Sequence, residues 1–159
     1  MKYHRFLVAA FLFLAALSAS AQDFRKVTWG MSPEEVISAE SGLQFSRMNG
    51  TANTMLSTRV DVTGHSGLLN YIFQDDKLVI AQYRFDDEED MRTYNEILNA
   101  LTDKYGAPYD SGDSYSRWKL ERTYVGISFK DNLCKVDYAD QKWVADTREK
   151  RRAEYDSNF

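Results

Sequence analysis

The chain has 159 residues, with 20 Lys and Arg against 24 Asp and Glu, two His and one Cys. That length holds one domain or two small ones, and 43% hydrophobic and 14% aromatic residues suffice to build a core. A net charge of −4 speaks against a nucleic-acid binder, and a single Cys excludes both an intrachain disulfide and a cysteine-rich metal site.

The first 21 residues read as a secretory signal peptide. Lys2, His4 and Arg5 supply a positive start, Phe6 to Leu17 an unbroken apolar run, and Ala19 and Ala21 the small residues of an A-x-A cleavage site before Gln22. Twelve apolar residues, rising about 1.5 Å each, fall short of a hydrocarbon core about 30 Å thick, so a cleaved leader is expected rather than an anchor. No Cys lies at the site to carry a lipid. The expected protein is periplasmic or secreted, soluble after cleavage following Ala21, with no later transmembrane segment. Processing removes Lys2 and Arg5, which moves the net charge to −6 and leaves His65 as the only histidine.

Met31-Ser32-Pro33-Glu34-Glu35-Val36 spells a helix start. Ser32 can cap the first free N–H groups, Glu35 can reach back to the Ser32 N–H, Pro33 suits the first helical position, and Met31 and Val36 can staple across the cap. Gly42 ends this helix, placed at about 33–41. Three strands follow at about 54–62, 67–74 and 77–85, from the period-two runs of Leu56-Thr58-Val60-Val62, Leu69-Tyr71-Phe73 and Val79-Ala81-Tyr83-Phe85. Gly64 and Gly67 punctuate them, Asp75-Asp76 makes a hairpin turn, and a short extra strand is allowed near Phe45–Met48.

The acidic run Asp86 to Asp90 suits the positive end of a helix dipole, and it lacks the alternation and central Gly of an EF-hand loop. Met91, Tyr94, Leu98, Leu101 and Tyr105 then form the apolar stripe of a helix at about 88–105, stopped by Gly106 and Pro108. Three more strands run from Tyr115 to Leu120, around Val125-Ile127-Phe129, and around Cys134-Val136-Tyr138, with turns at Glu121-Arg122 and Asp131-Asn132. Cys134 shares the inward parity of Val136 and is expected to be a small buried hydrophobe. Residues 140–159 make a charged helical tail docked at Trp143.

The fold class is therefore α+β: one domain over 22–139 in two helix-plus-three-strand units, about 22–86 and 87–139, sharing an antiparallel sheet with the helices packed on one face. From Trp29-Gly30-Met31-Ser32-Pro33-Glu34-Glu35-Val36 and the order of elements, the chain resembles two groups of small bacterial envelope proteins. These are the outer-membrane assembly lipoproteins of the BamE type and the β-lactamase inhibitor proteins. The resemblance implies helices on an antiparallel meander and, for the inhibitors, partner binding on a concave sheet. The chain departs from them in lacking a lipobox Cys and the inhibitors' disulfides.

No phosphate loop, dinucleotide fingerprint, zinc motif or EF-hand occurs, so no cofactor and no metal are expected. His65, in Thr63-Gly64-His65-Ser66-Gly67, reads as a solvated turn residue rather than a catalytic base. Tyr115, Arg117, Trp118 and Tyr124, with Lys119 and Lys130 nearby, are the side-chain types that anchor protein interfaces. Trp118 has a competing reading as a core residue. The basic run Arg148 to Arg152 reads as a solvated helix face. The leading expectation is an exported, non-enzymatic envelope protein that binds another envelope or secreted protein through an open sheet face. The alternatives are a small-molecule carrier with a pocket between helix and sheet, and a hydrolase. An exposed aromatic patch, a cavity of roughly 300 Å³ or more, and convergent polar groups with perturbed pKa values distinguish the three.

Overall fold

The computed structural model describes residues 22–51, 53–86 and 91–157. The proposed signal peptide and residues 87–90 of the acidic run lie outside them. The elements are α1 (Pro33–Ala39), β1 (Ser46–Asn49), β2 (Asn53–Val62), β3 (His65–Gln74), β4 (Lys77–Asp86), α2 (Arg92–Tyr105), β5 (Asp110–Gly112), β6 (Tyr115–Lys119), β7 (Thr123–Lys130), β8 (Leu133–Asp140) and α3 (Gln141–Ser157). The protein is α+β, and its strands form one antiparallel sheet in the order β1-β2-β3-β4-β8-β7-β6-β5.

Four strands, not three, follow each of the first two helices. The allowed extra strand is β1. The unforeseen one is β5, only three residues long and without an apolar residue to announce it. The capping box forms as expected: Glu35 N–H donates to Ser32 Oγ, and Ser32 N–H donates to the Glu35 carboxylate at 2.8 Å. α1 ends two residues earlier than expected, and α2 starts at Arg92, after a left-handed Met91, so the acidic run precedes the helix.

Two-residue turns set the sheet register. Thr63-Gly64, Asp75-Asp76 and Asp131-Asn132 all have positive φ at both positions, the twist that closes a tight hairpin. Gly67 is not a punctuating residue. It sits inside β3, where a Cβ would lie 2.5 Å from the Phe85 ring, so its bare backbone makes room for that ring.

One face of the sheet is buried. Leu69, Tyr71 and Phe73 of β3, Ala81, Tyr83 and Phe85 of β4, Cys134, Val136 and Tyr138 of β8, and Val125 and Ile127 of β7 all point to it. α2 covers this face with Tyr94, Ile97 and Leu101. Trp29 ties the N-terminal segment to the start of β7 there, donating from Nε1 to buried Thr123 Oγ1 at 2.9 Å.

α3, the expected helical tail, docks through Trp143 on the face opposite α2. Its Trp143 Nε1 donates to Gln74 Oε1, and Arg148 lies over Tyr124, both on the opposite face of the sheet. Beyond Thr147 the helix is exposed along its whole length. Among the described residues no helix is long and apolar enough to cross a membrane.

Candidate functional site

Strand register arranges the uncovered face into rows that cross the sheet, and three of them span six or more strands. The central row runs Ser46, Ser57, Asn70, Gln82, Asp137, Gly126, Arg117, Asp110, one residue from every strand. Its side chains join across the strands. Ser57 Oγ donates to Asn70 Oδ1 at 2.7 Å, Asn70 Nδ2 to Gln82 Oε1 at 3.5 Å, and Gln82 Nε2 to Asp137 Oδ1 at 2.7 Å. Arg117 Nη1 closes the far end on Asp110 Oδ2 at 2.8 Å.

Gly126 interrupts this row between Asp137 and Arg117. Its φ lies outside the range reserved for glycine, and a Cβ built on it meets nothing within 4 Å. The fold therefore places no steric demand for glycine there. The result is a notch in the polar row, flanked along β7 by Tyr124 and Ser128.

The row on one side is apolar: Met48, Met55, Ile72, Ile80 and Ala139, ending at Tyr124 and Lys119. The row on the other side is basic: Arg59, Leu68, Arg84, Lys135, then Ser128 and Tyr115. Arg84 and Lys135 are direct cross-strand partners, an unfavourable juxtaposition of like charge. Lys135 finds Asp137 at 3.4 Å, whereas Arg59 and Arg84 have no ion-pair partner among the described residues. A chain with a net negative charge thus carries a positive stripe on its open face.

Three of the four anticipated residues stand on this face. Tyr124 lies between the Lys119 ammonium and the Arg148 guanidinium, each 5.8 Å from its ring centre. Tyr115 lies against the Arg117 guanidinium at 4.8 Å, and its hydroxyl donates to Asp110 Oδ1 at 3.4 Å. Trp118 does not join them. It is buried on the covered face, where Nε1 donates to the Gly106 carbonyl at 2.8 Å and holds the C-terminal end of α2. Period two along Tyr115-Ser116-Arg117-Trp118 already separates the tryptophan from the other two.

His65 is no solvated turn residue either. It opens β3, with Nε2 2.8 Å from Glu96 Oε2 and Nδ1 3.4 Å from Thr93 Oγ1. The imidazole clasps the start of β3 to the first turns of α2. Cys134 is fully buried on the core face of β8, as its parity implied. Among the described residues no group of three or more His, Cys, Asp and Glu side chains is gathered to hold a metal ion.

A buried ion pair lies on the covered side, at a residue that no local sequence signal marks. Glu40, just past α1, is 1% exposed and receives Arg25 through Nε at 2.8 Å and Nη2 at 3.2 Å. Tyr71 Oη donates to the same carboxylate at 2.6 Å. Burial works to raise the Glu40 pKa, but the bonds from Arg25 and Tyr71 prevail and hold it below the usual carboxylate range. Burial and the Glu40 carboxylate push the Tyr71 hydroxyl far up, so it stays a donor.

The model of the TP0088 domain matches residues 22–150. The chain belongs to the TP0088 domain family. No curated protein and no solved structure matches it. The TP0088 match takes in all eight strands, α1, α2 and the docked part of α3 including Arg148, so the open face lies wholly within the family's domain.

Proposed function

We propose that this TP0088 protein is an exported, non-enzymatic envelope protein that binds another envelope or secreted protein through its open sheet face, taking an acidic segment of that partner along the basic row. Gly126 carries this reading. A glycine inside a strand costs about 0.5–1 kcal/mol in backbone entropy relative to alanine. Nothing in the fold requires this one, its pairings run without a register shift, and besides bulges and bends an interior strand glycine marks the close approach of a ligand or another backbone. The opposed Arg84 and Lys135 point the same way, because a tolerated like-charge pair is relieved by an acidic partner. Tyr115, Tyr124 and Arg117 supply the rigid anchors.

Two further elements belong to the proposal. The family match begins at residue 22, immediately after the A-x-A site, which supports removal of a leader and a periplasmic or secreted location. The mirrored order, α1 with β1–β4 and α2 with β5–β8 meeting at the β4–β8 pair, supports two related units and the resemblance to the BamE-type and inhibitor proteins.

Gly126→Val tests the reading. The new side chain enters open space on a residue suited to a strand, so stability stays level or rises by about 0.5 kcal/mol. A photo-crosslinking residue at Tyr124 in intact cells captures a discrete partner, and Gly126→Val abolishes that adduct. Tyr124→Ala leaves stability within about 0.5 kcal/mol and weakens the purified complex by about 2 kcal/mol. Crosslinking that ignores Gly126→Val removes the open face as the binding surface.

A further inference from the structure

The covered side of the sheet holds a cavity of about 610 Å³ between α2 and strands β4 and β8. It is separate from the open face, and nothing in the partner-binding reading uses it. The volume lies within the range of about 300–1,000 Å³ typical of small-molecule sites. Tyr83, Phe85 and Tyr138 from the sheet and Ile97, Leu101 and Tyr105 from α2 wall it, so its interior is apolar and aromatic with hydroxyl tips.

The charges at its rim are unequal. The Asp23 carboxylate is already taken: it accepts the Trp29 N–H at 2.9 Å and sits 3.4 Å from Arg122. Arg25 is neutralised by Glu40. Lys104 is exposed, lies 5.0 Å from the Tyr105 ring centre, and has no carboxylate partner among the described residues. Burial pushes the Tyr83 and Tyr138 hydroxyls up, so both remain neutral. Of the three charged side chains that line the cavity only Lys104 is uncompensated, so the free side-chain charge facing the apolar chamber is a cation.

We propose that this cavity is a binding site for a small organic anion with an apolar body, whose acidic headgroup pairs with Lys104 while its body lies between α2 and the sheet.

The test is calorimetric titration of the purified protein with dodecanoate, dodecanol and dodecyltrimethylammonium, each below its micelle-forming concentration. Dodecanoate is expected to bind saturably and at least tenfold more tightly than the cation. Lys104→Met keeps most of the stem and removes the charge, and should weaken dodecanoate about tenfold while leaving dodecanol unchanged. Ala100→Trp projects a large side chain into the mouth from an exposed helical position and should abolish binding of all three. Tyr124→Ala, on the other face, should change none of them. A wild type that takes up no dodecanoate, or uptake that survives Ala100→Trp, overturns the cavity as a site. Uptake indifferent to headgroup charge or to Lys104→Met overturns the anion.

Discussion

Gly67 and Gly126 both lie within strands, on opposite faces of one sheet, and only one of them is explained by the fold. At Gly67 a Cβ would collide with the Phe85 ring and approach the Arg84 carbonyl oxygen to 2.9 Å. At Gly126 it would meet nothing. The same contrast holds for charge. The covered face buries Glu40 but satisfies it completely with Arg25 and Tyr71. The open face sets Arg84 against Lys135 and leaves Arg84 without a counter-ion among the described residues. Packing accounts for Gly67 and Glu40 on the covered face. The unusual residues of the open face have no such account within the chain, which is the expected mark of a surface shaped by something outside it.

Breaking the Glu40 cluster should give the largest effect. Glu40→Gln leaves Arg25 unpaired, and loss of one partner of a buried pair costs several kcal/mol. Arg25 keeps 32% of its side chain exposed and can recover some hydration, so the expected loss is about 3 kcal/mol, read as a shifted urea midpoint. The pH dependence has a definite sign. The Glu40 pKa is depressed on folding, so its contribution is complete above the unfolded value of about 4.3 and is lost as pH falls through the folded value. The gap between the two proteins should be full at neutral pH and close progressively below about pH 4. A gap independent of pH would mean that shape, not charge, holds the cluster.

The paired glycines come next. Gly67→Ala should destabilise by about 1–3 kcal/mol through overpacking against Phe85. Gly126→Ala should do the reverse, by about 0.5 kcal/mol. Equal responses would erase the distinction between the faces.

Much of the covered face is legible in the sequence because its signals are local. Leu69-Tyr71-Phe73 and Cys134-Val136-Tyr138 alternate, Ser32 and Glu35 stand three apart, and Asp75-Asp76 and Asp131-Asn132 fill tight turns. β5 escapes because Asp110-Ser111-Gly112 has no apolar face and is a strand only through its pairing with β6. Glu40 escapes because its partner Arg25 lies 15 residues away and neither residue type predicts burial. For the candidate site, Tyr115, Arg117 and Tyr124 are readable as interface types, and alternation alone would have set Trp118 apart. The three rows are not readable. Each gathers residues from six or more strands, and adjacency across strands exists only once register and strand order are known. The crossing of α3 to the open face is equally hidden, since its apolar stripe reduces to Trp143, Val144 and Thr147, all only half-buried.

The smallest expected effect is the most specific to the open face. Arg84→Thr replaces one member of the opposed pair with a residue that favours a strand. If the fold alone governed this position, losing a long side chain with its apolar stem would be neutral or harmful. If Arg84 is held against Lys135 for a partner, its removal should stabilise the isolated protein, by about 0.3 kcal/mol given that Asp137 already relieves part of the repulsion. Salt discriminates between the two. At 1 M salt the screening length falls to about 3 Å, so an electrostatic gain should vanish there, whereas a gain from strand preference should persist. Urea unfolding at low and high salt measures both terms. The same substitution should weaken partner capture, and most at low salt, where the acidic segment feels the basic row most strongly. A variant that is more stable in isolation and a poorer binder has lost a residue kept for the partner. One that is less stable at both salt concentrations returns Arg84 to the fold and leaves Gly126 as the open face's single unexplained residue.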